Sequence, residues 1–469
     1  MSESSQSTAP LPGMPPAEIF KAYDIRGVVG KTLTPEITEQ IGHAIGSEGI
    51  ARGAKRIAIG RDGRLSGPAL SEALARGLTR AGCDVVDIGM VPTPVLYFAT
   101  HHLQTQSGVM VTGSHNPPEY NGLKVVLAGQ TLAGDEIRDL RRRIVQGDLT
   151  AGHGEVIQSD VREAYLGRIT SDIRLARHMR VIVDCGNGVA GQLVPELMRR
   201  LGCEVRELFC EVDGHFPNHH PDPSQPENLA DLVSAVCSGS ADVGLAFDGD
   251  GDRLGVVAPD GSIIWPDRQM ILFARDVLSR HRGGMIIYDV KSSRTLETAI
   301  REAGGQPLLW KTGHSFIKAK LKETGALLAG EMSGHIFFKE RWYGFDDGLY
   351  AAARLLELLS RDPRPSIEVF ASLPNTVNTP ELHIKMAEGE HFTVIRELVE
   401  RAQFPAARVT TIDGLRVDYA DGFGLVRASN TTPVLVLRFE ADNAAALTRI
   451  EEDFRNLILK VRPGLVLPF

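Results

Sequence analysis

RIAIGRDGRLSGPALSEALARGLTRAG, residues 56–82, contains the plan on which most of the chain is built. It opens as a short apolar run, RIAIGRDGR (56–64), that breaks into a polar, glycine-containing turn. The helix-like segment SGPALSEALARGLTRAG (66–82) follows. The same order returns in VIVDCGNGVAG (181–191) and in MIIYDVKSS (285–293), the latter followed by RTLETAIREAGG (294–305). Later in each unit a second apolar strand ends in a polar loop: TGSHNP (112–117), DGDGDR (248–253) and GEMSGH (330–335). Strand, helix, strand implies parallel pairing, and open α/β sheets bind ligands beyond the carboxyl ends of their strands. The pattern therefore predicts three consecutive α/β domains of similar topology, with mixed, mainly parallel sheets, each lending one loop to a central cleft. They share a pattern, not a strict repeat.

The last hundred residues read differently. GLRVDYADGFGLVRASNTTPVLVLRFEA (414–441) alternates apolar and polar residues between glycine turns, which predicts antiparallel strands. In 442–461, Leu447, Ile450, Phe454, Leu457 and Ile458 share one helical face, with Asp442 and Asn443 as candidate caps. A C-terminal α+β domain is expected after a proline-punctuated linker near 360–376. The expected divisions are a disordered tail over 1–15, then domains over 16–159, 160–262, 263–374 and 375–469.

At 469 residues the chain is too long for one core. Its composition, 43% hydrophobic and 23% charged, is that of a globular protein. No apolar run reaches the roughly 20 residues that span a bilayer. The polar, Pro-rich start lacks the basic and apolar regions of a signal peptide, so a cytoplasmic protein without a membrane partner is expected. A net charge of −8 without a basic block argues against nucleic acid as partner. The five cysteines lack metal-ligand spacing and are read as reduced, mostly core residues.

Four loops carry candidate chemistry. In VTGSHNPPEYNGLK (111–124), Ser114 is pushed out at a strand end and followed by Pro117 and Pro118. A serine needs a base or metal to become reactive, and His115 and Lys124 lie near it in sequence. Alone, this reads more readily as a solvent-exposed turn. In FDGDGDRL (247–254), Asp248, Asp250 and Asp252 alternate with glycines. Three such carboxylates repel one another unless a cation sits among them, and hard oxygen ligands suit Mg²⁺ or Ca²⁺. An EF-hand loop fails, because Arg253 stands at its sixth position and Pro259 at its twelfth. Mg²⁺ is preferred, since it takes few carboxylates and shares phosphate oxygens. In AGEMSGH (329–335), Glu331 and Ser333 can face the same way and grip neighbouring sugar hydroxyls, with His335 able to shuttle protons. In RASNTTP (427–433), Arg427, Ser429, Asn430 and Thr431 offer donors suited to phosphate, or an ordinary hairpin turn. Arg26, Lys291 and His314 are further basic candidates.

These four motifs, in this order and one per domain, resemble those of the alpha-D-phosphohexomutases. The resemblance spans essentially the whole chain beyond the tail. Within that superfamily the glycine of TGSHNP together with GEMSGH is most similar to the bacterial bifunctional phosphomannomutase/phosphoglucomutases; phosphoglucosamine mutases usually carry glutamine where Met332 stands. The resemblance implies that Ser114 carries a phosphoryl group in the resting enzyme, beside Mg²⁺ held by Asp248, Asp250, Asp252 and the phosphoserine itself. It implies transfer to a hexose 1-phosphate, a hexose 1,6-bisphosphate intermediate that reorients, and release of hexose 6-phosphate. Glucose 1,6-bisphosphate is the expected activator. Arg26, His115, Lys124 and His335 are expected near the reacting oxygens, with Lys124 and His335 as proton carriers. Tyr23, Arg253, Lys291, His314, Glu331, Ser333, Arg427, Ser429, Asn430 and Thr431 are expected to bind substrate. A phosphoglucosamine mutase, a phosphoserine-dependent phosphatase and a non-catalytic sugar-phosphate sensor are the alternatives. A monomer is expected, with an oligomer open.

Overall fold

The computed structural model describes residues 13–469. It forms two compact units, one reaching to Leu254 and including Asp347–Ala353, the other made of Gly255–Asp346 and Arg354–Phe469.

In the first unit the opening stretch folds as read. Arg56–Arg61 is a strand and Gly67–Ala81 a helix, ended by Gly82 in the left-handed conformation. The strand lies between two parallel neighbours, Asp84–Met90 and Gly108–Val111. Tyr120–Leu127 then returns antiparallel along Gly108–Val111, and Ile25–Val28 pairs antiparallel with it. That return strand places Lys124 in register with Met110, just before the Ser114 loop. Ile57, Ile59, Val85, Val109 and Leu123 are buried in one core with the helices Pro35–Ala51 and Gly67–Ala81. The same unit holds a second parallel set, Val243–Phe247 beside Arg180–Asp184 beside Glu204–Leu208. Every side chain of Val243–Phe247 is buried, as a strand covered on both faces requires.

The second unit repeats the plan with Met285–Asp289 between Gln306–Trp310 and Leu328–Gly330, all parallel, and Ile336–Phe338 returning antiparallel. Its other sheet is antiparallel: Leu415–Tyr419, Gly422–Ala428 and Val434–Ala441 run in order, with Leu382–Lys385 on the last of them. The helix Ala444–Val461 buries Ile450, Phe454, Leu457 and Ile458 against that sheet, while Leu447 is only partly covered. Asn443 alone is its cap, accepting from Ala446 N–H at 3.0 Å, while Asp442 pairs with Arg294.

Two expectations change. The stretch 360–376 is not a plain linker: it contains the helix Ser366–Ala371, which buries Val369 and Phe370. The prolines mark helix boundaries there. Of the expected tail, residues 1–12 lie outside the described residues. Pro15 accepts a hydrogen bond from Arg141 at 3.0 Å and Met14 packs on the core, so 13–15 belong to the folded body. Cys83, Cys185 and Cys203 are buried, Cys210 is half-buried and Cys237 exposed, all as free thiols.

In the second unit Glu297 accepts from Arg408 at 2.7 Å, Arg301 at 2.9 Å and Tyr288 at 3.1 Å. Its carboxyl is held down to about 2 from an ordinary 4.5, chiefly by Arg408. A depressed carboxyl stabilises the fold above its unfolded value and stops doing so as pH falls through the folded one. Glu297→Gln is therefore expected to lose about 1–2 kcal/mol at pH 7, discounted because Arg408 is exposed. The loss shrinks as pH drops from 4.5 towards 2, and parallel calorimetric scans of parent and variant across that range measure it.

Candidate active site

In the first unit the strand Gly108–Val111 delivers the Ser114 loop. Ser114 is buried and holds a positive φ of 49°, left-handed for a residue with a Cβ. Such a residue costs of order 1–3 kcal/mol and persists only where its surroundings impose it. The surroundings are visible. Ser114 N–H donates to Thr112 Oγ1 at 2.8 Å, Thr112 Oγ1 donates to Asp62 Oδ2 at 2.7 Å, and Gly113 N–H reaches the same oxygen at 3.1 Å. The Arg64 guanidinium donates to the carbonyls of Ser114 (2.8 Å), Asn116 (2.6 Å), Pro117 (2.6 Å) and Tyr120 (3.0 Å). Pro117 and Pro118 stiffen the loop, but Arg64 and Asp62 supply the hydrogen bonds that close it.

Ser114 Oγ points at two titratable groups, His115 Nδ1 at 3.3 Å and Asp248 Oδ2 at 3.1 Å. Asp248 begins the acidic loop at the end of Val243–Phe247. The loop lies hard against the serine: a Cβ on Gly249 would sit 2.4 Å from the Ser114 carbonyl, so only glycine fits. Asp248, Asp250 and Asp252 are fully buried, and each offers an oxygen within 4.8 Å of the others. Burial, then the Asp250 and Asp252 charges, push the Asp248 carboxyl well above its usual range. Lys124 Nζ donates to Asp250 at 2.7 Å and also to Asp252. Arg253 Nε stands 3.8 Å from Asp248, and burial of its guanidinium is outweighed by that charge and those of Asp222, Asp252 and Asp250, which keep its pKa raised. Asp250 Oδ1 is buried without a hydrogen-bond partner among the described residues. Three converging carboxylates, one with an unsatisfied oxygen, fit a hard divalent cation. Lys124, expected as a proton carrier, thus has its ammonium on two acids of the loop that also touches Ser114 Oγ. Arg26 donates to Asn116 Oδ1 at 2.8 Å, on the Ser114 loop, and also pairs with Asp24; Tyr23 is half-buried beside it in sequence.

The second unit gathers the other expected residues. Glu331 accepts the Gly313 N–H, and His335 Nδ1 lies 3.1 Å from Glu331 Oε2 and 2.9 Å from Ser333 Oγ. Burial pushes the Glu331 carboxyl up, but His335 and the Gly313 N–H more than offset it and hold it low. His314 opens the helix His314–Thr324, its ring centre 5.7 Å from that of His335 and its Nδ1 3.7 Å from Asp346. Lys291 Nζ donates to Glu381 at 2.7 Å, and burial of that carboxyl is outweighed by Lys291, which keeps it low. Arg427 Nε donates to Asp413 at 3.1 Å. Ser429 Oγ accepts the N–H groups of Thr431 and Thr432, each at 3.3 Å, closing the 427–433 turn with Asn430 at its tip.

Two residues that sequence reading missed join these loops. Asp289, at the end of Met285–Asp289, accepts from Ser292 Oγ (2.7 Å), Thr312 Oγ1 (3.0 Å) and Met332 N–H (3.3 Å). Asp413 accepts both Arg427 and the Thr312 N–H, the latter at 3.0 Å. Their only sequence signal is an acid at a strand end or in a turn. Asp289→Ala strands one buried donor, Ser292, and two half-buried ones, Thr312 and Met332, so a loss of about 1–3 kcal/mol is expected, with faster proteolysis at 290–293 and 311–314; equilibrium denaturation and limited digestion measure the two.

Family models for the phosphoglucomutase/phosphomannomutase alpha/beta/alpha domains I, II and III match residues 17–150, 163–261 and 265–377, and that of the C-terminal domain matches 381–457. A phosphomannomutase/phosphoglucomutase of Pseudomonas aeruginosa is 59% identical over 99% of this chain and all of its own length. The crystal structure of a phosphoglucomutase/phosphomannomutase family protein from Burkholderia thailandensis, 56% identical, superposes with a TM-score of 0.92 over 97% of this chain and 100% of that one. A probable phosphoglucosamine mutase of Methanopyrus kandleri is more distant, 34% identical over 94% of this chain and 97% of its own.

Proposed function

Because the chain belongs to the phosphoglucomutase/phosphomannomutase family of alpha-D-phosphohexomutases, we propose the following reaction and roles for its residues. The enzyme is a mutase that interconverts the 1- and 6-phosphates of mannose and glucose by phosphoryl transfer. The observation that carries the site assignment is Ser114 Oγ, buried, held at a strained φ and 3.1 Å from Asp248.

Ser114 is the phosphoryl carrier. In the first half-reaction the P–Oγ bond breaks, a P–O6 bond forms on hexose 1-phosphate, and the O6 proton passes to the serine. His115 at 3.3 Å is placed to exchange a proton with Oγ. In the second half the P–O1 bond of the reoriented bisphosphate breaks, P–Oγ forms again on Ser114, the serine proton passes to O1, and hexose 6-phosphate leaves. Asp248, Asp250 and Asp252 would hold Mg²⁺, which when bound neutralises charge on the transferring phosphoryl group. Lys124 and His335 carry protons at the reacting oxygens and Arg253 contacts the phosphate or sugar, while Lys124 and Arg253 also balance the acids from the protein side. Glu331 and Ser333 bind the 3- and 4-hydroxyls, an acceptor and a donor that serve a sugar in either orientation. Arg427, Ser429, Asn430 and Thr431, with Tyr23, take the phosphate that is not reacting. Lys291 and His314 orient substrate, and Arg26 and His335 stand near the reacting oxygens.

Glucose 1,6-bisphosphate primes the serine. We take the domain limits as 159/160, 262/263 and 374/375, which the matched family spans support to within a few residues. We propose a cytoplasmic monomer, a reading to which the free thiols are suited. Among the described residues no helix is long and apolar enough to cross a membrane.

The test is a coupled assay with Mg²⁺ and a trace of glucose 1,6-bisphosphate. It compares glucose 1-phosphate, mannose 1-phosphate and glucosamine 1-phosphate. Comparable turnover of the first two is expected. A dominant rate on the amino sugar would replace this reading with a phosphoglucosamine mutase. Net release of inorganic phosphate would replace it with a phosphatase, and binding without turnover with a sensor.

A further inference from the structure

Arg64 is an arginine without a catalytic reason to be buried, and it is almost fully buried. Removing a guanidinium from water is unfavourable unless its donors are all used, and here they are used on one object. Its five N–H groups reach Asp62 and four carbonyls, those of residues 114, 116, 117 and 120. Its face covers the Phe216 ring at 5.1 Å. Asp62 in turn holds Thr112 and the Gly113 N–H, so the two residues of the RDGR turn grip the serine loop from both sides. The grip is steric as well. A Cβ on Gly113 would lie 2.5 Å from the guanidinium, so the glycine of TGSHNP leaves room for Arg64.

We infer that Arg64 is the positioning residue of the phosphoryl-carrying loop. By collecting the Ser114, Asn116, Pro117 and Tyr120 carbonyls it imposes the left-handed turn at Ser114 and so aims Oγ at Asp248. This rests on Ser114 being the phosphoryl carrier. A flat, five-donor fork can serve four carbonyls at once; a lysine ammonium has three donors and no fixed plane. A serine displaced by about 1 Å misses in-line attack, at a cost of roughly 100-fold in rate.

The experiment uses three variants of the full chain. Ser114→Ala is assayed first: if it keeps parental turnover, the carrier assignment fails and Arg64 is not the cause. With that assignment standing, Arg64→Lys and Gly113→Ala disturb the clamp by independent routes, one removing the fork and one displacing it. For the folded fraction of each, measured by circular dichroism and thermal melting, kcat for glucose 1-phosphate is expected to fall about 100-fold. KM is expected to stay within about twofold, and the rate of Ser114 phosphorylation by glucose 1,6-bisphosphate, followed by intact mass, falls in step with kcat. A merely structural arginine would lower the melting temperature and leave kcat per folded molecule alone. The inference is overturned if either folded variant keeps kcat within threefold of the parent. It is overturned equally if both fail to fold, since Arg64 would then serve the fold as a whole.

Discussion

Ser114→Ala is expected to lose roughly 10⁴- to 10⁶-fold in kcat, the scale on which removing a covalent nucleophile acts. The variant has no atom to carry the phosphoryl group between its two transfers, so neither half-reaction has a substitute route. The fold should tolerate the change. Alanine meets the same positive φ as serine, and the bonds that impose it belong to the backbone and to Thr112, Asp62 and Arg64. What disappears are the Oγ contacts to His115 and Asp248. The melting temperature is therefore expected to move by only a few degrees. Labelled glucose 1,6-bisphosphate should transfer its phosphate to the parent and not to the variant. Label appearing on another residue, or a kcat within tenfold of the parent, would remove Ser114 from the mechanism.

Removing divalent metal is expected to cost about 10³- to 10⁴-fold in turnover, restored by Mg²⁺, because a cation at a transferring phosphoryl group contributes several kcal/mol. The acidic loop also makes metal a stability ligand. Asp248, Asp250 and Asp252 put three carboxylates in a fully buried space, against the two cations Lys124 and Arg253. A divalent cation relieves that imbalance only in the folded chain, so the melting temperature should rise with Mg²⁺ concentration, by about 2.7 kcal/mol of stability at a hundredfold excess over Kd. Asp250→Asn separates the two roles. It removes one repelling charge, so the metal-free variant is expected to be no less stable than the parent, while both its Mg²⁺-dependent stabilisation and its activity fall sharply. A variant that keeps the parent's Mg²⁺ response would exclude Asp250 as a ligand. Calorimetry with and without chelator reads the first effect and the coupled assay the second.

The architecture was legible where the determinants are local. The runs at 56–61, 180–184 and 285–289 announce strands by apolar content and turns by glycine, and each forms where its own residues say. The antiparallel segments at 415–441 follow from alternation in the same way. The Ser114 and Asp248 loops stood out because a reactive hydroxyl and alternating acids look unusual even in isolation, and the structure brings them within hydrogen-bonding distance. Arg64, Asp289 and Asp413 did not stand out. Each works through partners far along the chain, 50 residues from Arg64 to the Ser114 carbonyl and 101 from Thr312 to Asp413. Nothing within a short window tells a clamp from a surface turn. Sequence proximity suggested Lys124 beside the serine; the antiparallel register of its strand adds what a short window does not show, its ammonium on Asp250 and Asp252.

The division of the chain also sorts its natural spectroscopic probes. All five cysteines fall between Cys83 and Cys237, in the unit that carries Ser114 and the acidic loop. All three tryptophans, Trp265, Trp310 and Trp342, fall in the unit that carries Glu331 and Arg427. Thiol titration therefore watches one unit and indole fluorescence the other, with no engineered label. In a denaturant series, coincident curves mean that the halves melt together; separated curves assign each transition to its unit.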